Sequence, residues 1–262
     1  MLYLMDFREN FTEKGFTNTF KIDFSNELLN LQELIYKSTK EYIVDHDTNL
    51  NLADKIKLPF KFVPEEKKWS EIMADINKSK ELDFIIDSKG VQEKFKLIFK
   101  NPKRFVISTF RARFPNQKRA IYNWHQDEGT WFFSKNENTN FKNPATLWLS
   151  VNGAKSKESI QLIEGSHKTK LFNHEWVDGQ GFFKIKNIKK NDLEKDTFNP
   201  DFEASEAVIF HPLTMHRSAP NESSNLRPRY SIDIRYYDNI DITKKLKVDF
   251  LFKLKKFLRL RS

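Results

Sequence analysis

The 262-residue chain contains no cysteine. That excludes disulfides, thiolate zinc sites, cysteine-ligated iron–sulfur clusters and cysteine nucleophiles, so any bound metal must take histidine, aspartate or glutamate. Glycine and proline are scarce, at 7 and 9 residues, which argues against extensive disorder. Neither the glycine-rich dinucleotide fingerprint nor the P-loop pattern occurs, and no internal repeat is visible. No apolar run approaches the roughly 18 residues that a membrane span needs. The opening MLYLMDFREN has no basic segment followed by an apolar core, so it does not read as a secretion signal. Together these absences predict a soluble, cytoplasmic protein.

Hydrophobic residues make up 39% of the chain, with phenylalanine especially abundant at 25. The length suits one large domain or two small ones. Net charge is +9, but it is unevenly placed: the last nineteen residues, KKLKVDFLFKLKKFLRLRS, hold eight Lys/Arg and one Asp, a local +7. The rest is nearly balanced, which speaks against a nucleic-acid partner for the main body. Written as a helix, the tail puts Leu246, Phe250, Leu254, Phe257 and Leu258 along one side. Such a helix either lies peripherally on an anionic membrane at its cytoplasmic face, through residues 244–262, or closes the domain with its lysines in water.

The first hundred residues carry helical periodicity. In SNELLNLQELIYKSTKEYIV, Leu28, Leu31, Ile35 and Tyr42 share a face behind Ser25 as N-cap. PEEKKWSEIMADI places Pro64 in a first turn and Trp69, Ile72, Met73 and Ile76 on a stripe. VQEKFKLIFKNP carries Val91, Phe95, Ile98 and Phe99 and stops before Pro102. From Arg104 onward the texture is that of strands: RFVISTFRARF, ATLWLSV, SIQLI, FFKIKNI, EAVIF and RYSIDIRYY, separated by Asn/Gly/Pro/Ser loops. The expectation is a mixed α/β chain with a mainly β core, a sandwich or jelly-roll barrel flanked by N-terminal helices. A helical lead-in over 1–103 and a barrel over 104–240 make one domain, with 241–262 as a basic tail.

Six histidines are available. His46 and His174 sit in polar stretches and are expected to face solvent or to be bonded locally; His167 and His211 are expected to be structural. His125, Asp127 and His216 stand apart. An iron(II) that must also bind a cosubstrate and oxygen needs few protein ligands and several open positions, and two imidazoles with one carboxylate supply that. Two residues apart at a strand end, His125 and Asp127 would point the same way, and His216, just beyond EAVIFHPLTM, would come from a distant strand. On its own, His-x-Asp is a weak signal and fits a surface loop equally well. A chelating dicarboxylate would leave its far carboxylate for an arginine. RPRYSIDIRYY offers Arg229, with Ser231 on the same strand face; Arg227 competes, and Arg235 is expected to make only surface ion pairs.

These pieces resemble the phytanoyl-CoA dioxygenase family of iron(II)/2-oxoglutarate-dependent oxygenases. The resemblance rests on NWHQD (123–127), TLWLSVN (146–152), IQLIEGSHK (160–168), EAVIFHPLTMHRSAPNESS (206–224) and RPRYSIDIRY (227–236), with the F-x-x-x-G-F opening at Phe11–Phe16. It spans about residues 7 to 237 and implies a double-stranded β-helix, a cupin-like barrel, with iron at one mouth. By motif match, His125, Asp127 and His216 would be the metal ligands, and Arg229 with Ser231 would bind the far carboxylate of 2-oxoglutarate. In many members that arginine follows the distal histidine by about eleven residues, which points to Arg227 here; the local R-x-S pattern favours Arg229, with NESSNL as a longer loop. Related halogenases replace the acid by a small residue, and Asp127 argues against that chemistry. The implied reaction is O2-dependent hydroxylation of a small molecule, with release of succinate and CO2.

The substrate is less determined. Arg111 and Arg113 either reach toward the site, or cap the barrel edge or pair with acids, and Trp124 and Trp131 either wall a pocket or belong to the core. A membrane-bound tail would make a sugar or lipid-linked intermediate of envelope glycan synthesis plausible; a soluble metabolite fits equally. Two other classes compete. A non-catalytic cupin-like binding protein would have a broken triad or no arginine. A membrane-surface adaptor would depend on residues 244–262 and be indifferent to Asp127. The sequence leaves the oligomeric state open.

Overall fold

The computed structural model describes residues 2–44, 49–105, 108–115, 123–133, 144–177, 182–188, 197–219 and 226–239. The basic tail and His46 lie outside the described residues. Six helices precede most of the strands: α1 (Leu2–Glu13), α2 (Glu27–Thr39), α3 (Leu52–Lys55), α4 (Glu66–Asn77), α5 (Lys80–Ile86) and α6 (Lys89–Lys96), with the short strand β1 (Phe20–Lys21) between the first two. There follow β2 (Pro102–Arg104), β3 (Thr109–Arg113), helix α7 (Asp127–Phe133), β4 (Ala145–Ser150), β5 (Ile160–Ile163), β6 (His174–Val177), β7 (Phe182–Ile185), β8 (Thr197–Phe198), β9 (Glu206–Phe210), β10 (His216–Ser218) and β11 (Arg229–Asp238). No described helix is long and apolar enough to cross a membrane.

The large sheet runs β1-β9-β4-β11-β2, with β3 also paired to β11. A second sheet runs β10-β5-β8, and β6 pairs with β7. All these pairings are antiparallel. The alternation of side chains along a strand gives the large sheet two distinct faces. Leu147, Leu149, Ala207, Ile209, Tyr230, Ile232, Ile234 and Tyr236 join one core cluster with Leu31, Ile35, Trp69, Ile72, Ile76, Val91 and Phe95 of the helices. The other face meets the small sheet: Trp148, Val208 and Phe210 pack with Ile160 and Leu162. Helices therefore cover the outside of a two-sheet core of the double-stranded β-helix type, as the sequence predicts.

Several local details differ from expectation. Helix α2 begins at Glu27 behind Asn26 instead of Ser25, and no side chain caps it; the Asn26 N–H donates instead to Glu27 Oε2 at 3.1 Å. Pro64 lies just outside α4, whose N-cap is the extended residue Glu65. The expected α6 stripe is split: Val91 and Phe95 are fully buried in the helix, while Ile98 and Phe99 pack from the turn beyond it. Helix α5, unnoticed in the sequence, is capped by Ser79, whose side chain accepts from the Leu82 N–H at 3.2 Å.

The helix-to-sheet contact is clearest at Phe95, which stacks on Tyr236 with ring centroids 4.6 Å apart. Phe95→Ala is expected to cost about 3–5 kcal/mol, the range for truncating a buried aromatic, measured by chemical denaturation. A loss below about 1 kcal/mol would show that this layer contributes little.

Candidate metal centre

His125 and His216 meet through the backbone before their side chains do. The two residues form an isolated antiparallel bridge, exchanging N–H···O bonds of 3.0 Å in both directions. Their rings lie with centroids 4.1 Å apart. Asp127 is the first residue of α7. The convergence of His125 and Asp127 is therefore not the period-two alignment of a strand end, as the spacing predicts. The chain turns from a bridge into a helix between them, and this swings the carboxylate back toward the histidine rings.

The resulting triangle is tight. His125 Nε2 and His216 Nε2 lie 3.9 and 3.7 Å from Asp127 Oδ1. One donor atom from each residue falls within 4.8 Å of the others, and all three residues are buried. The Nδ1 of His125 lies 2.7 Å from the Asn123 carbonyl and that of His216 lies 2.9 Å from the Thr214 carbonyl. A carbonyl can only accept, so each Nδ1 carries the proton and each Nε2 presents a lone pair to the centre. Burial, then the neighbouring His216, pushes His125 down to about 3, so it stays neutral. Burial would raise Asp127, but Arg235, His216 and His125 outweigh it and hold the carboxyl well below the usual range. Two imidazole Nε2 atoms and an ionised carboxylate oxygen fit a divalent metal.

Asp127 is held by its other oxygen. Thr146 donates to Oδ2 at 2.6 Å and Arg235 Nη2 lies 3.4 Å from it. Arg235 is thus not a surface residue: it is buried, and it also approaches Asp233 at 3.7 Å. Arg111 closes the chain, 2.6 Å from the same Asp233 carboxylate. Opposite charges alternate along this row, which is how such groups are tolerated inside a protein.

The turn between His125 and Asp127 is pinned by Gln126, whose residue type and neighbours carry no site signal. Gln126 is fully buried; its side chain donates to the Leu213 carbonyl at 2.9 Å and accepts from the Phe172 N–H at 2.8 Å. Its backbone N–H donates to His174 Nε2 at 3.1 Å. His174 is therefore buried. It is bonded locally, as one of the two expectations had it, with Nδ1 2.8 Å from the Phe172 carbonyl, and its Nε2 accepts from the loop that carries His125 and Asp127. Its ring occupies the space beside Gly129, where an added Cβ would fall 2.2 Å from it. His211 and His167 are structural, as expected: His211 Nδ1 accepts from the Leu213 N–H, and His167 Nε2 lies 2.8 Å from the Thr12 carbonyl.

At the other end of the same sheet face, Arg229 is buried beside Ser231, donating to its hydroxyl at 2.9 Å, with the guanidinium 5.4 Å from the Trp148 ring. Its Nε has no hydrogen-bond partner. Burial, then Arg113, draws Arg229 down to about 9. A carboxylate is the group that would satisfy it. Arg227 is turned to the backbone, donating to the carbonyls of Asn152 and Gly153 at 3.0 and 3.3 Å. Trp124 lies in a small core cluster with Ile163, Ile185 and Met215, under the Arg217 guanidinium at 4.6 Å. The Trp131 side chain lies outside those described.

The family model described as Phytanoyl-CoA dioxygenase (PhyH) matches residues 36–229. No curated protein matches the chain. Among solved structures, the chain is similar to EctD from S. alaskensis with 2-oxoglutarate and 5-hydroxyectoine, at 15% identity and a TM-score of 0.57 over 88% of this chain and 74% of that one. It is similar to EvdO2 from Micromonospora carbonacea var. aurantiaca complexed with 2-oxoglutarate, at 13% identity and a TM-score of 0.54 over 88% and 89%. It is also similar to the epimerase SnoN in complex with Fe3+, alpha ketoglutarate and nogalamycin RO, at 12% identity and a TM-score of 0.57 over 90% and 83%. These likenesses are of fold.

Two substitutions test how the centre is held. Arg235→Leu leaves Asp127 without its cation, and Mn(II) affinity followed by electron paramagnetic resonance is expected to fall roughly ten- to a hundredfold, the usual cost of losing a group behind a ligand. Arg235→Lys should recover part of it. Unchanged affinity in a folded Leu variant would remove Arg235 from the site. Gly129→Ala must displace the His174 ring. It is expected to lower stability by about 1–3 kcal/mol and Mn(II) affinity with it; full retention of both would mean the ring moves freely.

Proposed function

The chain belongs to the phytanoyl-CoA dioxygenase family of iron(II)- and 2-oxoglutarate-dependent oxygenases, and from that premise we propose that it hydroxylates a C–H bond of a small-molecule substrate. The overall change is that one oxygen atom of O2 enters the substrate C–H bond as hydroxyl, while 2-oxoglutarate takes the other and leaves as succinate and CO2. Bound iron(II) with 2-oxoglutarate supplies the oxidising chemistry. The observation that carries the reading is the buried triangle of His125, Asp127 and His216, with one donor atom from each within 4.8 Å of the others.

The chain's own residues have separable tasks in this reading. His125 and His216 offer Nε2, their tautomers fixed by the Asn123 and Thr214 carbonyls. Asp127 offers Oδ1, because Thr146 and Arg235 occupy Oδ2. Arg229 and Ser231 hold the far carboxylate of 2-oxoglutarate; Arg229 is favoured over Arg227 because it lies buried on the inward face of β11, whereas Arg227 is spent on backbone carbonyls. Retention of the acid at Asp127 supports hydroxylation over halogenation.

A second reading concerns place. The amphipathic pattern of 244–262 supports action at an anionic membrane surface, on a sugar- or lipid-linked intermediate of an envelope glycan. Co-sedimentation of the full chain with phosphatidylglycerol vesicles, lost in a chain ending at residue 243, is the expected result; equal behaviour of the two chains would leave a soluble metabolite as the substrate.

Anaerobic addition of Fe(II) and 2-oxoglutarate is expected to give the weak visible charge-transfer band of the chelate. His216→Ala should abolish the band, and Arg229→Ala should weaken 2-oxoglutarate binding about tenfold or more, the scale of a lost charge-assisted contact. Asp127→Ala should abolish succinate formation. A wild-type protein with no band and no metal-dependent 2-oxoglutarate binding would overturn the proposal.

A further inference from the structure

Arg113 is the largest side chain in the fully buried set, at 1% exposure. It lies on β3 directly opposite Arg229 of β11, and both residues point to the inward face of the large sheet. Two guanidinium groups on neighbouring strands, both out of water, repel each other and need a common anion or separate acids. Arg113 Nη1 donates to the Ala219 carbonyl at 2.6 Å, but its Nε and Nη2 have no partner. The nearby acid is Glu158, whose Oε2 also lacks a partner. Asp233, the other acid on this face, is engaged by Arg111 and Arg235.

The orphaned atoms do not stop at Arg113. Arg229 Nε and Ser150 Oγ are also buried without partners. Ser150 lies opposite Ser231 in the β4–β11 register, as Arg113 lies opposite Arg229 in the β3–β11 register. Four unsatisfied polar atoms therefore come from three adjacent strands at one end of one sheet face. The metal triangle is at the other end, where Thr146 of β4 stands opposite Arg235 of β11. Buried donors left unmade at such density are costly, and two guanidiniums with a hydroxyl match the lone pairs of a carboxylate.

We propose that Arg113 is a second guanidinium arm for the far carboxylate of 2-oxoglutarate, completing with Arg229, Ser231 and Ser150 a three-strand cup that selects a dicarboxylate. The inference rests on the 2-oxoglutarate reading of the site and adds to it a residue outside the R-x-S pattern. It gives Arg113 a role in cosubstrate selection at the end of the sheet face away from the metal, in place of contact with the oxidised substrate. It also accounts for a cation buried beside another cation.

The test compares two 2-oxo acids of the same chain length. 2-Oxoglutarate carries the far carboxylate; 2-oxopentanoate has the same metal-binding end and lacks it. Each is titrated anaerobically into the Fe(II)-loaded full chain, following the visible charge-transfer band. Arg113→Met is expected to weaken 2-oxoglutarate about tenfold or more and to leave 2-oxopentanoate within about twofold. Ser150→Ala should show the same selectivity at smaller size. Arg113→Lys, which keeps the buried cation and loses the fork, is run alongside so that a folding defect in the Met variant does not decide the outcome; a selective loss of 2-oxoglutarate is again expected. Equal weakening of both acids, or of neither, in the Lys and Ala variants would overturn the proposal and leave Arg113 as a structural partner of Glu158. Absence of the band in wild type would instead overturn the underlying oxygenase reading.

Discussion

Strand β11 is buried on both of its faces, yet every second residue along most of it is polar or charged. Tyr230, Ile232, Ile234 and Tyr236 face the helices, while Arg229, Ser231, Asp233 and Arg235 face the second sheet. Charged groups inside a protein must be paired, ligated or neutralised. That constraint organises the interior. Arg111, Asp233, Arg235 and Asp127 alternate in sign at one end, and Arg113 and Arg229 stand together at the other. The acid-bearing end suits a metal cation and the arginine-bearing end suits an anion. The polarity of this single sheet face thus matches a chelate whose metal-binding end and far carboxylate lie apart.

The rest of the structure makes that face possible. The helices bury the wholly apolar side of the sheet, and the inward side is mixed, with Trp148, Val208 and Phe210 packing on the small sheet beside the polar residues of β11. The small sheet contributes the His216 strand, and its apolar contacts with Trp148, Val208 and Phe210 set the distance between the two layers. The metal loop is fastened on three sides, through the His125–His216 bridge, the Gln126 side-chain bonds and the His174 ring packed on Gly129. Donor atoms held this way need little rearrangement on binding, which favours affinity and correct geometry.

Much of this was legible in the sequence. The helical stripes of Leu31 and Ile35 and of Trp69, Ile72 and Ile76 are buried as their spacing predicts, because period 3.6 forces such residues onto one face. Strands β3, β4, β5, β7, β9 and β11 fall within the segments rich in β-branched and aromatic residues, whereas β6, β8 and β10 carry too short a pattern to be read from sequence. The motif order identified the family and the trio His125, Asp127 and His216. What misled was strictly local reasoning. A His-x-Asp pair suggests a strand end, but a chain passing from a bridge into a helix also brings the two side chains together. Arg235 looked like a surface residue because its own strand gave no sign that the far side is covered. His174 sits in a polar stretch, and polarity of neighbours does not report burial.

Residue order alone determined the periodicity of each segment, the absence of thiolate ligands, the family, and a candidate trio for a metal. Those are properties of residue type and spacing, and they survive without a fold. Only the tertiary structure decided which polar residues are inside. Arg113 opposite Arg229, Arg235 and Thr146 behind Asp127, and His174 against Gly129 are contacts between segments separated by 19 to 116 positions. Such contacts depend on strand register and on how the sheets close over one another. The same arginine costs little in water and demands a partner in the interior, and burial is set by the whole chain.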